Sequence, residues 1–167
     1  MLKQTGVPTG ADLAAVQPEA ERMAKGPVAI IECFQQIPCN PCATACPRGA
    51  IAQFTDINDR PSIDHSKCNG CAICVANCPG LAIFVVDRNY RNESALIKLP
   101  YEQLPLPQVG ELVDALDRSG EVAGSGVVRQ VQNPRAFDRT AVIHLEVARE
   151  LAEVVRNIRV KEGRPHA

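Results

Sequence analysis

Eight cysteines occupy this 167-residue chain in two groups, and each group closes on a Cys-Pro pair. The second group reads Cys68-x2-Cys71-x2-Cys74-x3-Cys78-Pro79. Thiolates at this spacing let one looped backbone wrap three corners of an iron–sulfur cube, while the fourth thiol turns toward a different site. The chemistry such ligands support is one-electron transfer. The first group, Cys33-x5-Cys39-x2-Cys42-x3-Cys46-Pro47, repeats the pattern in altered form. Cys39, Cys42, Cys46 and Pro47 stand 32 residues before Cys71, Cys74, Cys78 and Pro79, and so do Ile31, Ala50 and Ile51 before Ile63, Ala82 and Ile83. A repeat that carries apolar positions along with the thiols is a whole structural unit. Only the first ligand breaks step: Gln36 stands where Cys68 would be, and Cys33 precedes it.

On these residues, over about 27–88, the chain resembles the bacterial two-[4Fe-4S] ferredoxin family. The resemblance implies two [4Fe-4S] clusters. One is held by Cys39, Cys42 and Cys78 with Cys33 as fourth ligand, the other by Cys68, Cys71, Cys74 and Cys46. Without Cys33 the first site would suit a three-iron cluster.

Other uses of eight thiols fit the spacing less well. Structural zinc takes four tetrahedral ligands, usually from separated C-x2-C pairs, and leaves a third thiol and the Cys-Pro unexplained. A disulfide framework belongs to secreted chains, and the start Met1-Leu2-Lys3 lacks an apolar signal stretch. A cluster with a purely structural role is the third alternative; two clusters with crossed ligands favour a relay. The thiols need a reducing compartment, which points to the cytoplasm. Lys and Arg number 18 against 19 acids, so no broad attraction to nucleic acid is implied. No apolar run approaches a transmembrane segment. With no Trp, two Tyr and four Phe, the core must come from Val, Ile, Leu and Ala, and cluster ligation is expected to supply part of the folding energy.

The expected fold class is α+β in three parts. Residues 1–26 read as an N-terminal arm with short helices near Ala11–Val16 and Pro18–Ala24, either ordered against a partner or a disordered tail. Residues 27–93 read as a two-[4Fe-4S] ferredoxin-like domain with a pseudo-twofold repeat. Its strands are expected at Val28–Cys33, Ile51–Thr55, Pro61–Asp64 and Ala82–Asp87, with short helices after Cys42 and Cys74. Residues 94–167 read as a docking segment, a small antiparallel β-barrel-like unit or a curled antiparallel sheet, with a C-terminal helix. Ala141, Ile143, Leu145 and Val147 alternate with more polar neighbours as in a half-buried strand. Arg118 to Glu121 reads as a hairpin turn, Gly124 and Gly126 as a bulge or close approach, and Asn133-Pro134 as a turn. Leu151, Val154, Val155 and Ile158 fall on one helical face.

No catalytic residues emerge. His144 reads as a surface residue and His65 as a loop residue near Cys68 able to tune a cluster. Asp114, Asp117 and Glu121 form a solvated face. There is no P-loop and no dinucleotide fingerprint. Beyond the cysteines, the run Ile31-Glu32-Cys33-Phe34-Gln35-Gln36-Ile37-Pro38-Cys39-Asn40-Pro41-Cys42 and the segment Leu104-Pro105-Leu106-Pro107 resemble iron–sulfur subunits of multi-subunit FAD-dependent dehydrogenases acting on amino acids or amines. That resemblance implies a hetero-oligomer in which FAD or FMN sits on flavin-containing dehydrogenase subunits, and this non-catalytic chain relays their electrons to an acceptor. The alternative is a free-standing soluble ferredoxin. The near balance of charge, and the length of chain outside the cluster-binding part, favour the resident subunit.

Overall fold

Apolar residues at 28–31, 83–86, 95–99 and 141–147 are long enough to pair as strands, and they do. The computed structural model describes residues 2–161. Seven strands form one antiparallel sheet: β1 (Val28–Ile31), β2 (Ile83–Arg91), β3 (Ser94–Tyr101), β4 (Leu112–Leu116), β5 (Val122–Gln132), β6 (Ala141–Ala148) and β7 (Asn157–Arg159). Their spatial order is β1-β2-β3-β6-β5-β4-β7. Five short helices accompany them: α1 (Leu2–Thr5), α2 (Gly10–Ala14), α3 (Ala20–Ala24), α4 (Pro41–Ala45) and α5 (Ile73–Ala76).

Of the two expected forms, barrel or antiparallel sheet, the structure has the sheet: the order runs from β1 to β7 with no pairing between these two edges. The expected C-terminal helix over Leu151–Ile158 is replaced. A 3₁₀ turn at Arg149–Leu151 is followed by two bonds, from the Val154 and Val155 N–H groups to the Leu151 carbonyl. Arg156 N–H then donates to Leu116 O, and β7 pairs with β4. The apolar spacing of 151, 155 and 158 is satisfied by burial beneath the sheet, so a free strand edge outcompetes the next helical turn. Residues 162–167 of the expected docking segment lie outside the described residues.

The sheet crosses the boundary expected at 93/94 through the β2–β3 hairpin, where Arg91 faces Ser94. One face, carrying Ile97, Leu99, Ile143 and Leu145, packs on Val155 and Ile158. On the other face Ala29, Ile31, Ile83, Val85 and Val142 pack against α5 residues Val75 and Ala76. β6 is therefore buried on both faces for most of its length, unlike the half-buried strand its alternation suggests. Gly124 and Gly126 mark close approaches: a Cβ would lie 2.7 Å from Leu151 Cδ1 and 2.8 Å from Leu145, respectively. The Arg118–Glu121 turn joins β4 to β5 as expected, with Asp117 accepting from the Ser119 and Glu121 N–H groups.

The N-terminal arm is helical at α2, where Thr9 and Asp12 form a capping box, and at α3. The arm packs on its own chain: Met23 is buried with Val28, Ile30 and Val86.

Candidate metal centres

All eight cysteines lie in the long segment between β1 and β2, which carries α4 and α5. Ile31 pairs with Ile83, and an isolated bridge joins Ile51 to Ile63. The 32-residue offset carries each of these pairs into the other. The expected strands at Ile51–Thr55 and Pro61–Asp64 shrink to this bridge, since the loops around them are given over to holding thiols. α4 and α5 are four to five residues long, one on each side, and bring Cys42 and Cys74 inside as buried residues. Each helix stops before a Cys-Pro, whose ring disfavours helical backbone in the preceding residue. Cys46 and Cys78 thus leave their own helices and reach across.

The result is two cavities. Cys33, Cys39, Cys42 and Cys78 line one of about 370 Å³, with Ile31, Phe54 and Ile83 among its apolar walls. Cys46, Cys68, Cys71 and Cys74 line the other, of about 330 Å³, with Ala29, Ile51 and Val85. All eight thiols are free. Among the described residues no three His, Cys, Asp or Glu side chains converge as the ligand set of a single ion. The thiols instead stand around the walls of their cavities, which suits a polynuclear cluster with thiolates at its corners better than tetrahedral zinc. A soft all-sulfur donor set in an apolar shell fits iron–sulfur.

Burial pushes the metal-free Cys74 thiol up to about 12, reinforced by Cys68 and Cys71. Burial and then the neighbouring Cys78 push Cys42 up to about 11. Cys33 is raised by burial and by Cys78 and Cys39, which places its sulfur in the company of the same foursome. Iron must displace these protons on binding. Cys46 is the exception. Burial alone would raise it, but the nearby backbone N–H groups of Ile51, Arg48, Ala50 and Gly49, the last of which donates to the Cys46 carbonyl, bring it below the ordinary thiol value. Successive N–H groups of this kind form an anion-binding nest.

Several side chains that motif reading passed over position these sites. Arg22 of α3 donates to the carbonyls of His65 (2.7 Å), Cys68 (2.6 Å), Pro27 and Gly26, clamping the Cys68 loop to the start of β1. Lys98 of β3 donates to Gly70 O at 2.7 Å. Burial lowers the Lys98 amine, while Cys71, Asp87 and Cys68 oppose that shift. Gly70 has φ +68°, and a Cβ there would lie 2.6 Å from Pro27 Cβ, so the loop is pressed against β1. Beside Cys33, the Glu32 carboxylate accepts from Arg118 and Arg156, each at 2.7 Å, and Arg156 stacks over Phe84. Burial works against the Glu32 anion, but the two guanidinium groups hold its carboxyl below the usual range. A lone cation in an apolar strand, as at Lys98, is the sequence signal that could have flagged one of these residues.

His144 corrects an expectation: it is buried, with Nε2 at 2.9 Å from Gln132 Oε1, because the cluster-binding part covers its face of β6. Burial, followed by the Lys98 charge, brings its pKa down to about 4. His65 is half-buried, and burial and then Arg22 lower its pKa. Asp114, Asp117 and Glu121 stay at the β4–β5 end, away from both cavities. No described helix is long and apolar enough to cross a membrane.

Residues 36–82 match the 4Fe-4S dicluster domain family, so the chain carries an iron–sulfur domain of ferredoxin type. That span covers less than half of the chain and begins after Cys33. The thiosulfate reductase electron transfer subunit PhsB of Salmonella typhi is 35% identical over 78 residues, covering 44% of this chain and 39% of that protein. Pyruvate synthase subunit PorD of Methanocaldococcus jannaschii is 43% identical over 47 residues, 28% of this chain and 52% of the relative. An isethionate sulfite-lyase activating enzyme of Desulfovibrio desulfuricans is 43% identical over 54 residues, 32% of this chain and 17% of that enzyme. The chain thus spans about half or less of the length of these curated relatives. No solved structure matches it.

Proposed function

We propose that this chain is the electron-transfer subunit of an oxidoreductase complex and carries two [4Fe-4S] clusters. Cys33, Cys39, Cys42 and Cys78 hold one; Cys46, Cys68, Cys71 and Cys74 hold the other. The observation that carries the reading is the division of all eight thiols into two foursomes around separate apolar cavities. When bound, such clusters supply one-electron storage and exchange. The chain's own part is to hold them, exclude water with Ile31, Ile83 and Val85, and fix the loops through Arg22, Lys98 and Glu32.

The proposed donor is a flavin-containing dehydrogenase subunit, which takes electrons in pairs from its substrate and passes them on singly. Two adjacent one-electron sites suit that division. The naming of two relatives as subunits of larger enzymes supports a resident subunit rather than a diffusing carrier. Residues 94–167 are proposed as the docking segment; Leu104 at 86% and Val109 at 67% exposure give it apolar side chains for a partner. Anaerobic purification from the native host tests this. Co-elution with flavin-containing subunits, and dehydrogenase activity only in their presence, is the expected result. A clean monomer that exchanges electrons with unrelated reductases would make it a free-standing ferredoxin.

A further inference from the structure

We infer that the Cys46–Cys68–Cys71–Cys74 site holds its cluster at a higher reduction potential than the Cys33–Cys39–Cys42–Cys78 site, so electrons run downhill toward it. The inference rests on the two-cluster reading above. Cluster potential follows net nearby charge, hydrogen bonds to sulfur and solvent exposure, and the two sites differ in all three.

Charge comes first. Arg48 lines the Cys46 site, whereas Asp59 lines the Cys33 site. Behind the loop of the Cys46 site, Arg22 and Lys98 donate to the carbonyls of Cys68 and Gly70 at 2.6 and 2.7 Å. Positive charge stabilises the reduced, more negative cluster. Acids near this site are offset: Asp64 pairs with Lys67 at 3.3 Å, and Asp87 acts on Lys98 itself. Near the Cys33 site, Arg60 is set against Asp59, and Arg118 and Arg156 share the single Glu32 carboxylate, so one net positive charge remains there against the Arg48, Arg22 and Lys98 charges at the other site.

Hydrogen bonds to sulfur differ in the same sense. Cys68 accepts from the Ala29 and Gly70 N–H groups at 3.4 Å each, and the backbone N–H groups of residues 48–51 surround Cys46 and lower its thiol, with Gly49 donating to the Cys46 carbonyl. At the other site Cys78 accepts from the Ala82 N–H at 3.4 Å, while the Ala43 N–H beside Cys42 donates to the Asn40 carbonyl. Exposure agrees as well, since Cys71 is the one cysteine of the eight that is exposed.

In the step this order favours, one electron leaves the reduced Cys33 site, which is oxidised, and enters the Cys46 site, which is reduced. No bond or proton moves. The flavin-class donor restores the first electron, and a downstream acceptor removes it from the second site.

The test is a redox titration of the anaerobically purified full chain, followed by EPR, which resolves two one-electron couples. The couple lost or displaced by Cys39→Ala belongs to the Cys33 site, and it should be the lower. Lys98→Gln keeps a donor for Gly70 O but removes the charge. It should lower only the higher couple, by about tenfold in the oxidised-to-reduced ratio at fixed potential, about 59 mV for one electron. Lys98→Arg should restore it. A reversed order, or a Lys98→Gln shift that is absent or equal in both couples, overturns the inference. Iron and sulfide counts on the same samples separate the two readings: a protein without clusters fails both, and a full count with the reversed order fails this one alone.

Discussion

Cys33 is the thiol that the 32-residue offset does not supply, yet it lies on the cavity wall with Cys39, Cys42 and Cys78. Cys33→Ser should take the iron content below about eight per chain and remove one cluster's EPR signal or convert it to a three-iron signal. Unchanged iron and spectra would show that another group serves. The two cysteine groups were legible from spacing, and the foursomes that the ferredoxin resemblance implies are the ones that line the two cavities. His144 was misread for a different reason: period-2 alternation marks one buried face, and nothing in the pattern shows that a separate part of the chain covers the other. Its pKa of about 4 lies below the unfolded value of 6.5. An unfolded chain therefore binds the proton first, and stability present above pH 6.5 is lost as pH falls toward 4, by roughly 3 kcal/mol. Denaturation midpoints at pH 7 and pH 5 check this, and His144→Gln should flatten the difference.

At the scale of elements, the loops that hold the thiols are fixed by what they press against. Gly70 sits in left-handed backbone, and its missing Cβ leaves room for Pro27 at the entrance to β1. Gly70→Ala should therefore displace the Cys68–Cys71 loop and lose the cluster of that site, while the Cys33 site keeps its own. Iron content falling to about half, with one surviving EPR signal, is the expected outcome; retention of both clusters would mean the loop can yield. The short helices α4 and α5, strands β1 and β2, and the β4–β5 hairpin were legible because Cys-Pro, apolar runs and a Gly-containing turn mark them locally. The segment after Leu151 was not. Its spacing satisfies a helix, and only tertiary partners, the Leu116 carbonyl and the Glu32 carboxylate, draw Arg156 into a strand entry instead.

For the whole molecule, the sheet ties the later half of the chain to both cavities. Lys98 of β3 reaches the Gly70 loop of one site, and Arg118 and Arg156 grip Glu32 beside Cys33 at the other. Such long-range ion pairs connect residues 86 and 124 positions apart, which no local pattern can display. They tie the cysteine-bearing part and the remainder of the sheet together, which fixes the walls of both cavities relative to the sheet. The account depends above all on what the eight thiols hold. Iron, acid-labile sulfide and zinc should be counted on the anaerobically purified full chain, with an EPR spectrum after reduction. About eight iron and eight sulfide per chain, with two reducible clusters, is the result expected; stoichiometric zinc without sulfide would contradict it.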